Sequence, residues 1–269
     1  MVVRKTCTTK DKWMPNGFRL AELLHRAAVC LLPILALIAA AIPSARAGAA
    51  ADLEIYGISS HGDFIAFELF GWQDGSGFPY SEIFVLDVRT DSWVKPSPFR
   101  RVDEIDEENG YDPADALAET RTRNQQAAHA LLDKTSIFGM GKTVAFNPAT
   151  ELGSNPYHIK VAPRLPLLAG ETSLDLTLSE YPLQNAECAG YGVETKGFRL
   201  TMVSSGISRT LNSDTSVPKS RRCPFSYRIE RVFTFYPEKG PAVFAIFVQM
   251  ESLGFEGPDR RYLAITGRL

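Results

Sequence analysis

From Lys142 to its end the chain alternates apolar and polar residues at a period of two, and this most narrows what it can fold into. Leu174, Leu176 and Leu178 stand against Asp175 and Thr177 in Ser173–Ser179, and Phe198, Leu200 and Met202 stand against Arg199 and Thr201 in Gly197–Val203. Successive side chains of a strand point to opposite faces, so each segment reads as a strand with one covered and one wet face. Tyr227–Tyr236 and Ala242–Met250 flank Pro237-Glu238-Lys239-Gly240, the pattern of a hairpin. Ala242–Val248 is apolar on both faces, which a strand needs only when covered on both sides. Thr143–Phe146 and Arg261–Thr266 complete the run.

Leu53–Ser59, Asp63–Phe70 and Glu82–Thr90 precede it and suggest a three-stranded antiparallel meander over 48–98. Helical signals occur once. Asp112-Pro113-Ala114-Asp115 supplies an N-cap and a proline at the first helical position, so a helix is expected at about 113–134, within a segment 112–138. Leu117, Ala128, Leu131 and Leu132 can share its apolar face, and Glu119 and Arg123 form an i,i+4 pair. Gly139 and Gly141 follow as stop signals. Together these elements predict a mainly β (α+β) chain, an antiparallel β-sandwich or closed sheet with one helix.

The N-terminus carries an export pattern. Ala27–Ile42 is an uncharged apolar run between Arg26 and the small residues Ser44-Ala45-Arg46-Ala47-Gly48. Basic flank, short apolar core and Ala-x-Ala site are the parts of a secretory signal, and sixteen residues interrupted by Pro33 fall short of the about 20 a membrane-spanning helix needs. Residues 1–47 are read as a signal cleaved between Ala47 and Gly48, with Met1 or Met14 as the start, and 48–269 as a single secreted domain without a stable membrane anchor. Those 222 residues carry 22 Lys and Arg against 29 Asp and Glu, a net charge near −7. That sign repels phosphate backbones and argues against nucleic-acid partners. Cys7 and Cys30 leave with the signal. Cys188 and Cys223 remain in an oxidising compartment, far apart in sequence and without a nearby histidine, and are expected to form a disulfide.

Signatures of catalysis are few. Ser136–Thr143 ends like a phosphate-binding loop but lacks its first glycine and its strand–loop–helix order. Neither a Gly-x-Ser-x-Gly elbow nor His-Glu-x-x-His occurs, and His61, His129 and His158 read as surface residues. No metal site or cofactor is implied. Asp103–Glu108 lacks calcium-loop spacing, and Lys219-Ser220-Arg221-Arg222 reads as a solvated basic turn. Two loops mix glycine, aromatic and charged residues: Trp72–Tyr80, with Trp72, Asp74, Ser76 and Tyr80, and Gly254–Arg261, with Asp259, Arg260 and Arg261. Such residues suit stacking and directed hydrogen bonds, although they also build turns.

Tyr56–Glu68, Gln73–Tyr80 and Ile83–Asp87, with Ser220–Pro224 and Gly254–Arg261, give the chain a recognisable pattern. It resembles a bacterial family of predicted secreted proteins of unknown function. The N-terminal stretch is also similar to one blade of a periplasmic β-propeller, with His61 in place of the usual Asp, but the period does not recur. The leading expectation is a non-catalytic periplasmic or secreted domain that binds an envelope protein or small ligand through the two loops. The alternative is an envelope hydrolase acting on peptide or sugar, with Asp74 and Asp259 or Arg260 at its centre.

Overall fold

A computed structural model describes residues 48–106 and 110–269. The expected signal, with Cys7, Cys30 and Ala47, lies outside the described residues. The chain forms three antiparallel sheets. Sheet one contains β1 (Asp52–Ser59), β2 (Phe64–Trp72), β3 (Pro79–Asp87), β4 (Ser92–Trp93), β5 (Phe99–Val102) and β6 (Ile137–Met140). Its order is β4-β3-β2-β1-β6, with β5 also on β3. Sheet two, of β8 (His158–Val161), β9 (Leu174–Pro182), β10 (Lys196–Ser204) and β11 (Ile207–Ser213), runs β11-β10-β9-β8. Sheet three, of β7 (Lys142–Phe146), β12 (Pro224–Phe235), β13 (Val243–Leu253) and β14 (Pro258–Arg268), runs β14-β13-β12-β7. None of the three closes into a barrel among the described residues, which sets aside the closed sheet and is consistent with the expected sandwich.

The two-faced hydrophobicity of β13 explains the layering. Phe244, Ile246, Val248 and Met250 pack with Leu174, Leu176, Phe198 and Leu200 of sheet two. The intervening Val243, Ala245 and Phe247 pack with Ile65, Phe67 and Phe84 of sheet one. Sheet three is therefore the middle layer, and β13 is its doubly covered strand. Phe67 stacks on Phe84 at 5.0 Å and meets Phe247 edge-on at 5.3 Å. Each such fully buried side chain contributes about 1.5–3 kcal/mol.

The outer face of sheet one carries helix α1 (Pro113–Lys134). Asp112 caps it, accepting from the N–H groups of Ala114 and Asp115, and Glu119 pairs with Arg123. The buried face differs from expectation. Thr120 and Asn124 are buried with Ala128 and Leu131, whereas Leu117 and Leu132 are only partly covered. The sheet beneath supplies the reason, because it presents Glu68 and Ser81 as well as Ala66 and Val85. Asn124 donates to the Ser81 carbonyl at 3.0 Å, to Ser81 Oγ at 2.8 Å and to the Phe99 carbonyl at 3.1 Å. Glu68, with 0 % exposure, accepts from Tyr56 Oη at 2.6 Å, Ser81 Oγ at 2.7 Å and Arg121 Nη2 at 2.9 Å. Burial, together with the Glu68 hydrogen bond, holds the Tyr56 phenol far above its ordinary pKa.

Five strands lie where none was expected: β4, β5, β6, β8 and β11. Of these, β6 occupies the supposed glycine stop after α1 and pairs with β1 through Ile58–Met140 and Ser59–Ile137. Gly57 makes this possible, since a Cβ there would stand 2.6 Å from the Cα of Gly139.

Candidate binding site

The two glycine-rich loops meet. The connection after β2 is tighter than expected, spanning Gln73–Phe78, with Gln73 N–H bonded to the Phe78 carbonyl at 2.8 Å. Asp74 Oδ2 accepts from the N–H groups of Phe255 and Glu256, each at 2.8 Å. Ser76 Oγ donates to Gln73 Oε1 at 3.0 Å, and Trp72 lies 6.4 Å from the Tyr111 ring. Asp74 thus locks one loop to the other. Charge-assisted bonds of this kind contribute about 1.5–3 kcal/mol, so Asp74→Ala is expected to lower stability by about 1–3 kcal/mol in thermal denaturation. An unchanged melting temperature would contradict the lock.

Tyr80, Asp259, Arg260 and Arg261 are strand residues, because β3 begins at Pro79 and β14 at Pro258. Alternation along β14 sends Asp259 and Arg261 to one side and Arg260 to the other, where Arg260 Nε donates to Glu251 Oε1 at 2.9 Å. Asp259, 4 % exposed, accepts from the Ala49 N–H at 3.1 Å and from Arg222 Nη1 at 3.2 Å. Arg261 lies 4.2 Å from the Tyr80 ring and 3.9 Å from Glu82 Oε2, and its buried Nη1 has no hydrogen-bond partner among the described residues. The Tyr80 hydroxyl is likewise buried and unpartnered. Burial pushes its pKa up, against the opposing pull of Arg261.

Residues 49–51 add to the edge of sheet three. Arg260 N–H bonds to the Ala49 carbonyl at 2.8 Å, and Ala51 N–H to the Arg260 carbonyl at 3.0 Å, a short parallel pairing on the outer edge of β14. Gly48 must be glycine for this approach, since a Cβ would fall 2.0 Å from the Pro258 carbonyl oxygen.

A cleft of about 520 Å³ runs along the β14 edge. Phe67, Leu69, Phe84 and Leu86 of sheet one and Leu263 and Ile265 of β14 give it an apolar lining. Trp93, 47 % exposed, stands in its wall beside Phe84, and Arg100 approaches the Trp93 ring at 5.9 Å. The remaining wall is the single 3-10 turn Lys219–Arg221 with Arg222. Five cations line the cleft, Arg100, Lys219, Arg221, Arg222 and Arg261, against the two carboxylates Glu82 and Asp259. The basic turn is not simply solvated as expected. Arg221 is largely buried and donates to Asp214 Oδ2 at 2.6 Å; burial opposes its charge, yet this bond and Tyr227 keep its pKa raised. The disulfide holds the turn in place. Cys188, on the short helix α2 (Ala186–Gly190), is bonded to Cys223 with a Cα–Cα distance of 5.5 Å, immediately after Arg222.

Of the seven expected site residues, the cleft gathers Asp259 and Arg261; Trp72, Asp74, Ser76, Tyr80 and Arg260 do not line it. Its apolar lining and Arg100 went unnoticed in the sequence. The one available signal was Lys219–Arg222, a cluster of positive charge in an otherwise acidic chain. The histidines stand apart from it: His61 is exposed, His129 pairs with Asp133 and His158 with Asp175. No cluster of metal-ligating side chains occurs among the described residues, and no helix there is long and apolar enough to cross a membrane.

No curated protein and no solved structure matches the chain, and the likeness to a propeller blade finds no support. A family model described as predicted secreted protein (DUF2259) matches residues 66–268, from the third residue of β2 to the last of β14. With that span matched, the chain belongs to this family of predicted secreted proteins.

Proposed function

We propose that the protein is an exported, non-catalytic binding protein, and that its ligand is an anion with an apolar body held in the cleft along β14. The observation that carries this reading is the cleft's composition: an apolar lining under an excess of cations, in a chain whose overall charge is of the opposite sign. Small-molecule sites of about 300–1,000 Å³ commonly combine apolar walls with a few fixed polar groups, and local cation excess raises the concentration of anions at the mouth. The alternative, an envelope hydrolase, needs a carboxylate free to transfer a proton. Asp74 is bonded to two backbone amides, Asp259 to Ala49 and Arg222, and Glu82 to Arg100 at 2.8 Å. These commitments favour binding.

Trp93 provides the test. In a Trp72→Phe variant, Trp93 is the remaining tryptophan after residue 47. Fractions of an envelope extract that contain the ligand should change its emission saturably, and high salt should weaken the response. Emission unmoved by every fraction would contradict the reading.

The same reading includes export and removal of residues 1–47, to the periplasm or beyond the cell. Gly48–Ala51 support it, since the stretch following Ala47 is seated on β14 as part of the folded unit. N-terminal analysis of protein from the exporting host is expected to give a start at Gly48 or within the next few alanines. A full-length, membrane-retained product would contradict this.

A further inference from the structure

Resting on that cleft reading, we propose that the occupant is an extended acidic peptide segment, which adds as a strand to the open edge of β14. The argument starts from hydrogen-bond parity. Backbone groups of an edge strand alternate between its neighbour and the open side. Arg260 turns its N–H outward to the Ala49 carbonyl and its C=O outward to the Ala51 N–H. The Thr266 N–H is also outward, donating to Asp91 Oδ1 at 2.8 Å. The β13–β14 register runs without a bulge, so Tyr262 and Ala264 between them face outward too. Both residues line the cleft, and no partner among the described residues meets their outward N–H and C=O groups. The edge is therefore occupied at both ends and open in the middle.

An open edge is a template for a further strand, and main-chain bonding there is one of the recurring modes of peptide recognition. The distance from Arg260 to Thr266 is six residues, roughly 20 Å at the rise of a strand, which admits a segment of about five residues. Residues 49–51 already use this edge in the same way. Side-chain chemistry sets the preference. Arg261 offers an Nη1 that makes no hydrogen bond among the described residues and meets only Glu82, at 3.9 Å. Arg100 also lines the cleft, together with the apolar Leu69 and Phe84. A strand alternating acidic and apolar residues presents carboxylates to the arginines and apolar groups to the apolar lining. A small amphipathic anion would satisfy the charges and the apolar lining but leave the Tyr262 and Ala264 backbone groups unmet.

The probe is a five-residue peptide with capped ends, alternating Glu and Val, titrated against the folded 48–269 protein by calorimetry and Trp93 emission. One-to-one binding is expected. Methylating the peptide nitrogens that would reach Tyr262 and Ala264 should weaken it by about tenfold or more, as should exchange of Glu for Lys. Ala264→Pro removes one outward N–H at a position where an edge strand tolerates proline, and should have a similar effect. Arg261→Gln provides a second variant should that one fold poorly. Equal affinity of parent and N-methylated peptides would overturn the strand-addition inference. So would failure of the peptide beside saturable binding of dodecanoate, an outcome that retains the cleft as an anion site. If neither probe binds, the peptide inference fails, and the response of Trp93 to envelope fractions decides the broader reading.

Discussion

Arg121→Met is expected to destabilise the protein by about 3–5 kcal/mol, because it leaves the Glu68 carboxylate buried without its cation. Glu68 is fully covered, and Arg121 reaches it through Nε at 3.2 Å and Nη2 at 2.9 Å while also pairing with Glu54. The Arg121 guanidinium lies 3.6 Å from the Phe70 ring centroid, so the substitution also removes a cation–π contact. The double variant Glu68→Gln with Arg121→Met should regain a large part of the loss, since the uncompensated charge is then gone. Chemical denaturation of the two variants measures this difference. A loss below about 1 kcal/mol for Arg121→Met would contradict a pair that holds α1 to sheet one.

Cys223→Ser is expected to cost roughly 3–4 kcal/mol, the chain-entropy value for closing a loop of this length. The bridge spans 35 positions and ties α2 to the start of β12. Non-reducing peptide mapping should recover the Cys188 and Cys223 peptides linked, and two free thiols in exported protein would contradict the bridge. Its loss should also reach the cleft. The Lys219–Arg222 turn abuts Cys223, so a reduced protein that stays folded should hold its ligand less tightly.

What was legible in the sequence follows from how far each signal extends along the chain. The long strands of sheets two and three announce themselves because one or both faces pack against another layer, and the apolar stripe records that packing residue by residue. β11 records nothing of the kind; most of its residues are exposed, so it carries no stripe. β6 is four residues with a glycine and depends on the crossing of Gly57 and Gly139, a contact between segments remote in sequence. The helix is legible at its cap but not on its buried face, because Glu68 and Ser81 on another element set the polarity that Asn124 and Arg121 must match. The loops at Asp74 and Gly254–Gly257 stand out by composition and meet in the structure, yet the residues that line the cleft are read as ordinary core. Phe67, Leu69 and Phe84 meet Leu263, Arg261 and the basic turn only where the edge of β14 passes sheet one.

Hydrogen exchange resolved to single amides tests the central claim most directly. In the free protein the Tyr262 and Ala264 amides should exchange rapidly, while those of Arg261 and Leu263, bonded to β13, are protected. Adding the envelope fraction that changes Trp93 emission should slow Tyr262 and Ala264 and leave distant amides unchanged. Slow exchange at both positions in the free protein, or rates that no fraction alters, would contradict a binding cleft on the open edge of β14.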